Sequence, residues 1–406
     1  MPGLSAYERI AEPEEIRLLT RLGKRLAGRS FLHVNSTSEG GGVAEILHRL
    51  ILLFREMDIL ARWEVLKGNP PFYDMTKRIH NALQGQGSEI TPRMWEIHRE
   101  VNDSNARQIP LEADLVFIHD PQPAALIHHR GKNGRWVWRC HVDVSHPQPE
   151  TWRELAGHVG RYDAAIFSGA KFAQRLAVPQ FVVPPSIDPL SEKNRDLGEK
   201  EVRDILEDHG IGMDKPLLTQ VSRFDRFKDP LGVIAAYRMV KKYHDCRLIL
   251  AGGAATDDPE GEAILSRVRE EARNDPDICV LLLPPFSDRT INALQRAATI
   301  VLQKSTREGF GLTVAEALWK AKPVIGGAVG GIPSQIHHGA TGFLVHSVEG
   351  AAYRIRQLLH NPEMGKRMGE MGREHVRRNF LITRQARDYL ALWVALEHRG
   401  KKVIQL

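Results

Sequence analysis

The sequence predicts an α/β protein built from two domains with parallel sheets and a helical C-terminal tail. Three observations carry this reading. The chain has 406 residues and a mass of 45.7 kDa, too long for one ordinary core. Short β-branched runs alternate with longer helical patterns along most of it, the rhythm of parallel βαβ units with helices on both sheet faces. A tandem-proline segment interrupts that rhythm near the middle.

The first expected strand is 31–35 (FLHVN), followed by a glycine loop at 40–42. Val43, Ile46, Leu47, Leu50, Phe54 and Met57 then recur at helical spacing, an apolar stripe over four turns. Further strands are expected at 113–118, 135–140, 163–167 and 181–183, and in the second half at 217–221, 246–251, 278–283, 299–302 and 323–326. The tandem prolines of VVPPSIDP at 182–189 cannot continue a sheet or helix, and a polar, charged stretch, SEKNRDLGEKE, follows them. The expected domains are therefore 1–184 and 185–380, with 381–406 as a C-terminal helix.

Composition narrows the class. Hydrophobic residues make up 42% and charged residues 26%, which excludes a disordered chain, a collagen-like chain and a disulfide scaffold. No apolar run approaches the roughly 18 residues of a membrane span, and the longest, near 46–54, is broken by His48 and Arg49. The first fifteen residues are polar and acidic, unlike a signal peptide, so a cytoplasmic protein with no membrane partner is expected. Cys140, Cys246 and Cys279 lie in apolar runs and read as small core residues. The net charge is +6, but 56 basic residues are interleaved with 50 acidic ones and form no basic block. Most of the surplus lies beyond Leu190, with 33 basic against 28 acidic residues there. A phosphorylated small molecule accounts for that as well as a polynucleotide does.

Five strings carry chemistry. In REGFGLTVAE, Glu308 falls in a loop, Gly309 and Gly311 flank Phe310, and a helix begins near Leu312 with Glu316 on it. Glycines admit a ligand to the backbone, free N–H groups at a helix start favour an anionic oxygen, and each carboxylate can hold sugar hydroxyls. An acidic helix N-terminus is the plainer reading. In VSRFDRFKDP, Arg223 and Lys228 follow a strand, where they can clamp a diphosphate or simply form a surface charge cluster. In STSEGGGV, Gly41 and Gly42 form a cradle or a tight turn before a helix. That loop lacks both the dinucleotide fingerprint and a Walker lysine. IHDPQP and RCHVD place Asp120, His141 and Asp143 just after strands. Eight of the 18 histidines lie between 80 and 158, yet none shows a zinc-ligand spacing, so no metal site is expected. A neutral imidazole can both donate to and accept from a sugar, or can be a satisfied core group. His80, Asn81 and Gln84 lie in a helical region of the same half and are acceptor-side candidates.

Taken together, E-x7-E around G-F-G-L, the upstream Arg and Lys, and the first-domain glycine loop resemble retaining glycosyltransferases of family 4 with the GT-B fold. That fold has two Rossmann-like domains facing across a cleft, with the last helix crossing back to the first domain. HVNSTSEGGGVAEILHRL, HNALQG, IHDPQPA, WRCHVD, PPSIDPLSEKN and VSRFDRFKD further resemble the trehalose glycosyltransferring synthases. The resemblance implies transfer of glucose from an NDP-glucose to free glucose, giving trehalose and NDP reversibly. It implies that Glu308 binds donor-sugar hydroxyls and Glu316 the ribose. Arg223, Lys228 and the N–H groups of Phe310, Gly311 and Leu312 would meet the diphosphate, with Gly41 and Gly42 closing over it and His141 beside the donor glucose. Asp120 and Asp143 fall to the acceptor side. No tightly bound cofactor is implied, Mg²⁺ being at most a helper of the nucleotide, and a homodimer is the assembly carried as an expectation. The loop has Glu39 where polymer synthases of the superfamily carry a K-x-G-G-L lysine, which argues against a polymer product. Another small acceptor, a glycoside hydrolase using a carboxylate pair about 5–9.5 Å apart, and a non-catalytic binder of sugar nucleotides remain as alternatives.

Overall fold

The computed structural model describes residues 3–39, 41–253 and 259–398. The chain divides into two compact units, one formed by 1–186 with 382–406 and the other by 187–381.

The first unit holds six strands: β1 (Ser30–Asn35), β2 (Leu60–Val65), β3 (Leu115–His119), β4 (Arg135–Arg139), β5 (Ala164–Phe167) and β6 (Gln180–Val182). All pair in parallel in the order β2-β1-β3-β4-β5-β6. Leu32, Val34, Val116, Ile118, Trp136, Trp138 and Phe167 alternate onto one face and pack as a core with the helices Pro70–Leu83 and Pro149–Val159. The opposite face carries Phe31, His33 and Phe117 and is covered by the last helix, Ile382–Glu397. There Trp393 lies 4.4 Å from Phe31 and Tyr389 lies 4.7 Å from Phe117 between ring centroids. The tandem prolines are tied to the same helix, since Arg384 donates to the carbonyls of Pro184 and Pro185 at 2.7 and 3.1 Å.

The second unit repeats the design with β7 (Leu217–Val221), β8 (Arg247–Gly252), β9 (Ile278–Leu282), β10 (Ile300–Gln303), β11 (Val324–Gly327) and β12 (Gly342–Val345). Its order is β12-β11-β10-β7-β8-β9, again all parallel. In both sheets the chain starts in the interior and reverses direction between two adjacent strands, β1 and β3 in the first, β7 and β10 in the second. Loops diverge there, and in doubly wound sheets ligands gather at that point, beyond the C-terminal strand ends.

Two strands, β2 and β12, were not expected from the sequence. Both are sheet edges; β2 is only partly buried, whereas β12 is mostly buried but just four residues long. LARWEV mixes Arg, Trp and Glu into its run, and GFLV opens on glycine, so neither shows a continuous buried pattern. Among the described residues no helix is long and apolar enough to cross a membrane.

Candidate active site

In the second unit the chemistry-bearing residues collect at the point where the strand order reverses. β7 ends at Val221, and Arg223 and Lys228 sit on the loop that follows. Asp225 accepts from the N–H groups of Phe227 and Lys228 at 2.9 and 3.1 Å, which folds residues 226–228 into a short 3₁₀ turn. Asp229 adopts a left-handed backbone, φ +49°, and caps the helix Pro230–Lys241 through the Gly232 N–H at 3.1 Å, while Lys304 pairs with its other oxygen. The loop is thus fixed at both ends, and Lys228 is directed by it.

Glu308 lies in the loop after β10, and its Oε2 accepts from Lys228 Nζ at 2.5 Å. Ser305 Oγ and Gln303 Nε2 approach the same oxygen at 3.3 and 3.5 Å. Oε1 has no partner among the described residues, so one carboxylate oxygen is held and the other is available. Arg223 is largely exposed and, among the described residues, reaches only Asp225, at 3.6 Å.

The helix Leu312–Trp319 starts at Gly311, whose φ of +86° is a backbone that side chains rarely adopt. The N–H groups of Phe310, Gly311 and Leu312 find no backbone acceptor among the described residues. Gly309 shares this loop. Glu316 is buried on the helix, with Gln295 Nε2 at 3.4 Å and Lys193 Nζ at 3.9 Å. Asn194 holds the far end of the helix by accepting from Lys320 Nζ at 2.8 Å and from Trp319 Nε1 at 3.2 Å.

Several supporting residues escaped the sequence reading. Gly330 (φ +54°) and Gly331 press against the Glu308 loop, and the Gly331 N–H donates to the Glu308 carbonyl at 3.2 Å. A Cβ on Gly330 would collide with that carbonyl, and one on Gly331 with the backbone of Gly309 and Phe310. Gln335 donates to the Phe310 carbonyl at 2.6 Å. The glycine cluster GGAVGG at 326–331 was the available signal. It marks close backbone approach rather than side-chain chemistry, so no charged spacing announces it.

In the first unit the analogous point lies between β1 and β3. Gly41 is the N-cap of the helix Gly42–Glu56, with extended backbone, and a Cβ there would meet nothing within 4 Å. Gly40, the first of the expected glycine loop, lies outside the described residues. Asp120, just past β3, has φ +66° and accepts from the His141 N–H at 2.7 Å. Burial pushes its carboxyl up to about 7, against the opposing effects of that hydrogen bond and of Arg139. His141 follows β4, and its Nε2 lies 3.0 Å from His119 Nδ1. Burial, with Arg139 adding to it, holds the His141 ring well below its ordinary pKa, so it is neutral at pH 7. Asp143 is taken up locally by Ser145, whose N–H and hydroxyl donate to it at 3.0 and 2.6 Å.

His80, Asn81 and Gln84 are half-buried at the C-terminal end of the helix Pro70–Leu83. That end meets the segment following His141, with the Gln148 N–H donating to the Ala82 carbonyl at 2.9 Å. The structure therefore bonds Asp120 directly to His141, sets Asp143 two residues on, and brings the 80–84 group to the same segment through the Gln148–Ala82 main-chain bond. Among the described residues no cluster of three or more His, Cys, Asp or Glu is arranged to hold a metal ion.

Comparison with known proteins identifies this arrangement. Residues 201–375 match the family described as glycosyl transferases group 1, and residues 33–174 match the one described as trehalose synthase, N-terminal domain. An α,α-trehalose-phosphate synthase (UDP-forming) from Burkholderia xenovorans superposes with a TM-score of 0.72, covering 90% of this chain and all of that one at 14% identity. The fold is GT-B, a glycosyltransferase architecture. The trehalose synthase of Pyrococcus horikoshii is 47% identical over 396 residues, 95% of each chain. That of Rubrobacter xylanophilus is 43% identical over 408 residues, 97% of each. The chain belongs to the trehalose synthase family of glycosyltransferases.

Proposed function

We propose that the protein is a retaining glucosyltransferase that moves glucose from an NDP-glucose to free glucose, giving α,α-1,1-trehalose and NDP in a reversible reaction. One observation carries this reading beyond the family: the Lys228–Glu308 pair beside unpaired main-chain N–H groups where β7 and β10 diverge. A cation and oriented N–H groups suit a diphosphate, and a carboxylate with one oxygen already held suits the hydroxyls of the sugar attached to it.

In this scheme Lys228, Arg223 and the N–H groups of Phe310, Gly311 and Leu312 take up charge on the departing phosphate as the C1–O bond breaks. Glu308 Oε1 accepts donor-sugar hydroxyls, and Glu316 binds the ribose. The acceptor hydroxyl attacks C1 on the face that the phosphate leaves, and its proton passes to a phosphate oxygen. Bond making and breaking on one face retains the α configuration without a covalent enzyme intermediate. His141 meets the donor glucose, Gly41 and Gly42 leave room for the diphosphate, and Asp120, Asp143, His80, Asn81 and Gln84 serve the acceptor side. The chemistry requires no resident cofactor, and Mg²⁺ would act only with the nucleotide. The empty space around Gly41 supports its part, because neither its backbone angles nor packing in its own unit requires glycine there.

The test is incubation with NDP-glucose and glucose while NDP and disaccharide are followed. Trehalose formed in step with NDP is expected. Glucose released from trehalose without NDP would point to a hydrolase, and saturable nucleotide binding without turnover to a binder. Trapping a glycosyl adduct on a carboxylate would overturn the one-face mechanism.

A further inference from the structure

Three imidazoles in the first unit form a hydrogen-bonded chain. His33 Nδ1 lies 3.0 Å from His119 Nε2, and His119 Nδ1 lies 3.0 Å from His141 Nε2. The rings stack in sequence, with centroids 5.3 Å apart in both steps. His33 and His119 are buried, while His141 is partly exposed, so the chain runs from the core to a partly open end. His33 is wedged against Phe117 at 4.7 Å, and its Nε2 is buried with no hydrogen-bond partner among the described residues.

Proton counting fixes the direction of this chain. Three neutral rings carry three N–H groups and three nitrogen lone pairs. The two links consume two of each, leaving one N–H and one lone pair for the two ends, His33 Nε2 and His141 Nδ1. If the N–H fell on His33 Nε2, a donor would be buried without an acceptor, the kind of orphan that folded proteins most consistently avoid. The lone pair therefore belongs at the buried end and the proton at the open one. The rings are neutral because burial lowers all three, His33 to about 3. The buried guanidinium of Arg139, whose Nε and Nη1 have no partner among the described residues, adds a fixed positive charge that opposes a further proton on His119 or His141.

We propose that His33 and His119 are positioning residues that fix the tautomer of His141, so that its Nδ1 carries the proton and offers the substrate a hydrogen-bond donor. This rests on the reading above that His141 meets the donor sugar. His141 is then a one-way group: it recognises an oxygen lone pair, and the matching hydroxyl must give its own proton elsewhere. Without the chain the ring could turn either nitrogen's chemistry outward, and part of the population would present a lone pair to a lone pair.

The full chain labelled with ¹⁵N-histidine reports this directly, because long-range ¹H–¹⁵N spectra distinguish a protonated ring nitrogen from a bare one. His141 is assigned by the signal lost in His141→Gln. Protonated Nδ1 with bare Nε2 is expected. Protonated Nε2, or two nitrogens with averaged intermediate shifts, overturns the proposal whatever the enzyme's activity. Kinetics give the second reading. His119→Phe removes the donor to His141 and should lower kcat about 10-fold, the worth of one directed hydrogen bond, with NDP affinity unchanged. His119→Asn keeps an N–H near the place of Nδ1 and should recover most of that loss together with the Nδ1–H spectrum. Equal kcat in the two variants overturns the positioning role. If no trehalose forms under any condition, the functional reading fails, and the ring spectrum still decides the tautomer.

Discussion

The two units place their chemistry at equivalent points of similar sheets but solve opposite problems. Where β7 and β10 diverge, the second unit gathers full charges: Lys228 bound to Glu308 at 2.5 Å, an exposed Arg223, and Glu316 watched by Lys193. Where β1 and β3 diverge, the first unit gathers stacked imidazoles held uncharged by burial and Asp120, pushed up to about 7, with the guanidinium of Arg139 fully buried behind them. A diphosphate brings charge that must be matched, whereas a sugar brings only hydroxyls that need oriented dipoles. Charge is the specialisation of one unit and neutrality that of the other.

The largest expected effect tests the charged side. Glu308→Gln keeps the size of the side chain but removes the charge facing Lys228 and the free carboxylate oxygen. A loss in kcat on the order of 10³-fold is expected, by analogy with removal of a preorganised polar group, with the chain still folded but its melting temperature lowered, because Lys228 loses its counter-charge. Activity near the parent level would remove Glu308 from the catalytic assignment. Lys228→Ala should cost roughly 10²-fold in kcat. Part of that loss reflects stranding the Glu308 carboxylate, which is largely buried beside it.

Acid should break the neutral side first. His33 is lowered to about 3, His98 to about 4 and His158 to about 3, all three by burial and all in the first unit. A folded pKa below the unfolded one means that the unfolded chain binds more protons between those values, so stability falls with falling pH across that window. From pH 6.5 to 5 each ring should cost about 2 kcal/mol. Asp120 works in the reverse sense, since its raised pKa favours the fold at low pH and offsets part of this. Six of the seven tryptophans lie in the first unit, only Trp319 in the second. Urea unfolding followed by tryptophan fluorescence should therefore shift to lower midpoint between pH 7 and pH 5, ahead of the transition followed by far-UV circular dichroism. Coincident transitions at both pH values would contradict the contrast between the units.

Arg223→Ala should have a milder effect, about 10-fold in kcat/KM, because a largely exposed guanidinium with one loose partner contributes less than a buried one. Donor KM and kcat should both move, since the diphosphate is present before and during the reaction.

The same contrast explains what could be read from the sequence. Charged residues at fixed offsets beside glycines mark themselves, and Arg223, Lys228, Glu308 and Glu316 could be singled out along with the strands preceding them. The buried strands β1, β7 and β10 were visible as short runs rich in apolar and β-branched residues. His33 was not visible as anything but a strand residue in FLHVN, because its significance depends on His119 and His141, brought beside it only by the pairing of β1, β3 and β4. Gly330, Gly331, Gln335 and Asn194 act on main-chain carbonyls or on a helix end, and such contacts leave no periodicity. β2 mixes Arg, Trp and Glu into its run, and β12 is four residues opening on glycine, so neither offered the apolar, β-branched run by which the other strands were recognised.

Gly41 separates packing from function most finely. A Cβ at Gly41 would meet nothing within 4 Å, and the backbone is extended. Gly41→Ala should therefore change stability by less than about 1 kcal/mol, the modest difference between glycine and alanine at a helix N-cap. If a diphosphate uses the space in front of this glycine, the same methyl group should raise donor KM several-fold while leaving the melting temperature almost fixed. Unchanged donor kinetics would leave Gly41 as a turn residue and confine phosphate recognition to Arg223, Lys228 and the N–H groups of 310–312. The first unit would then touch only the uncharged part of the substrate.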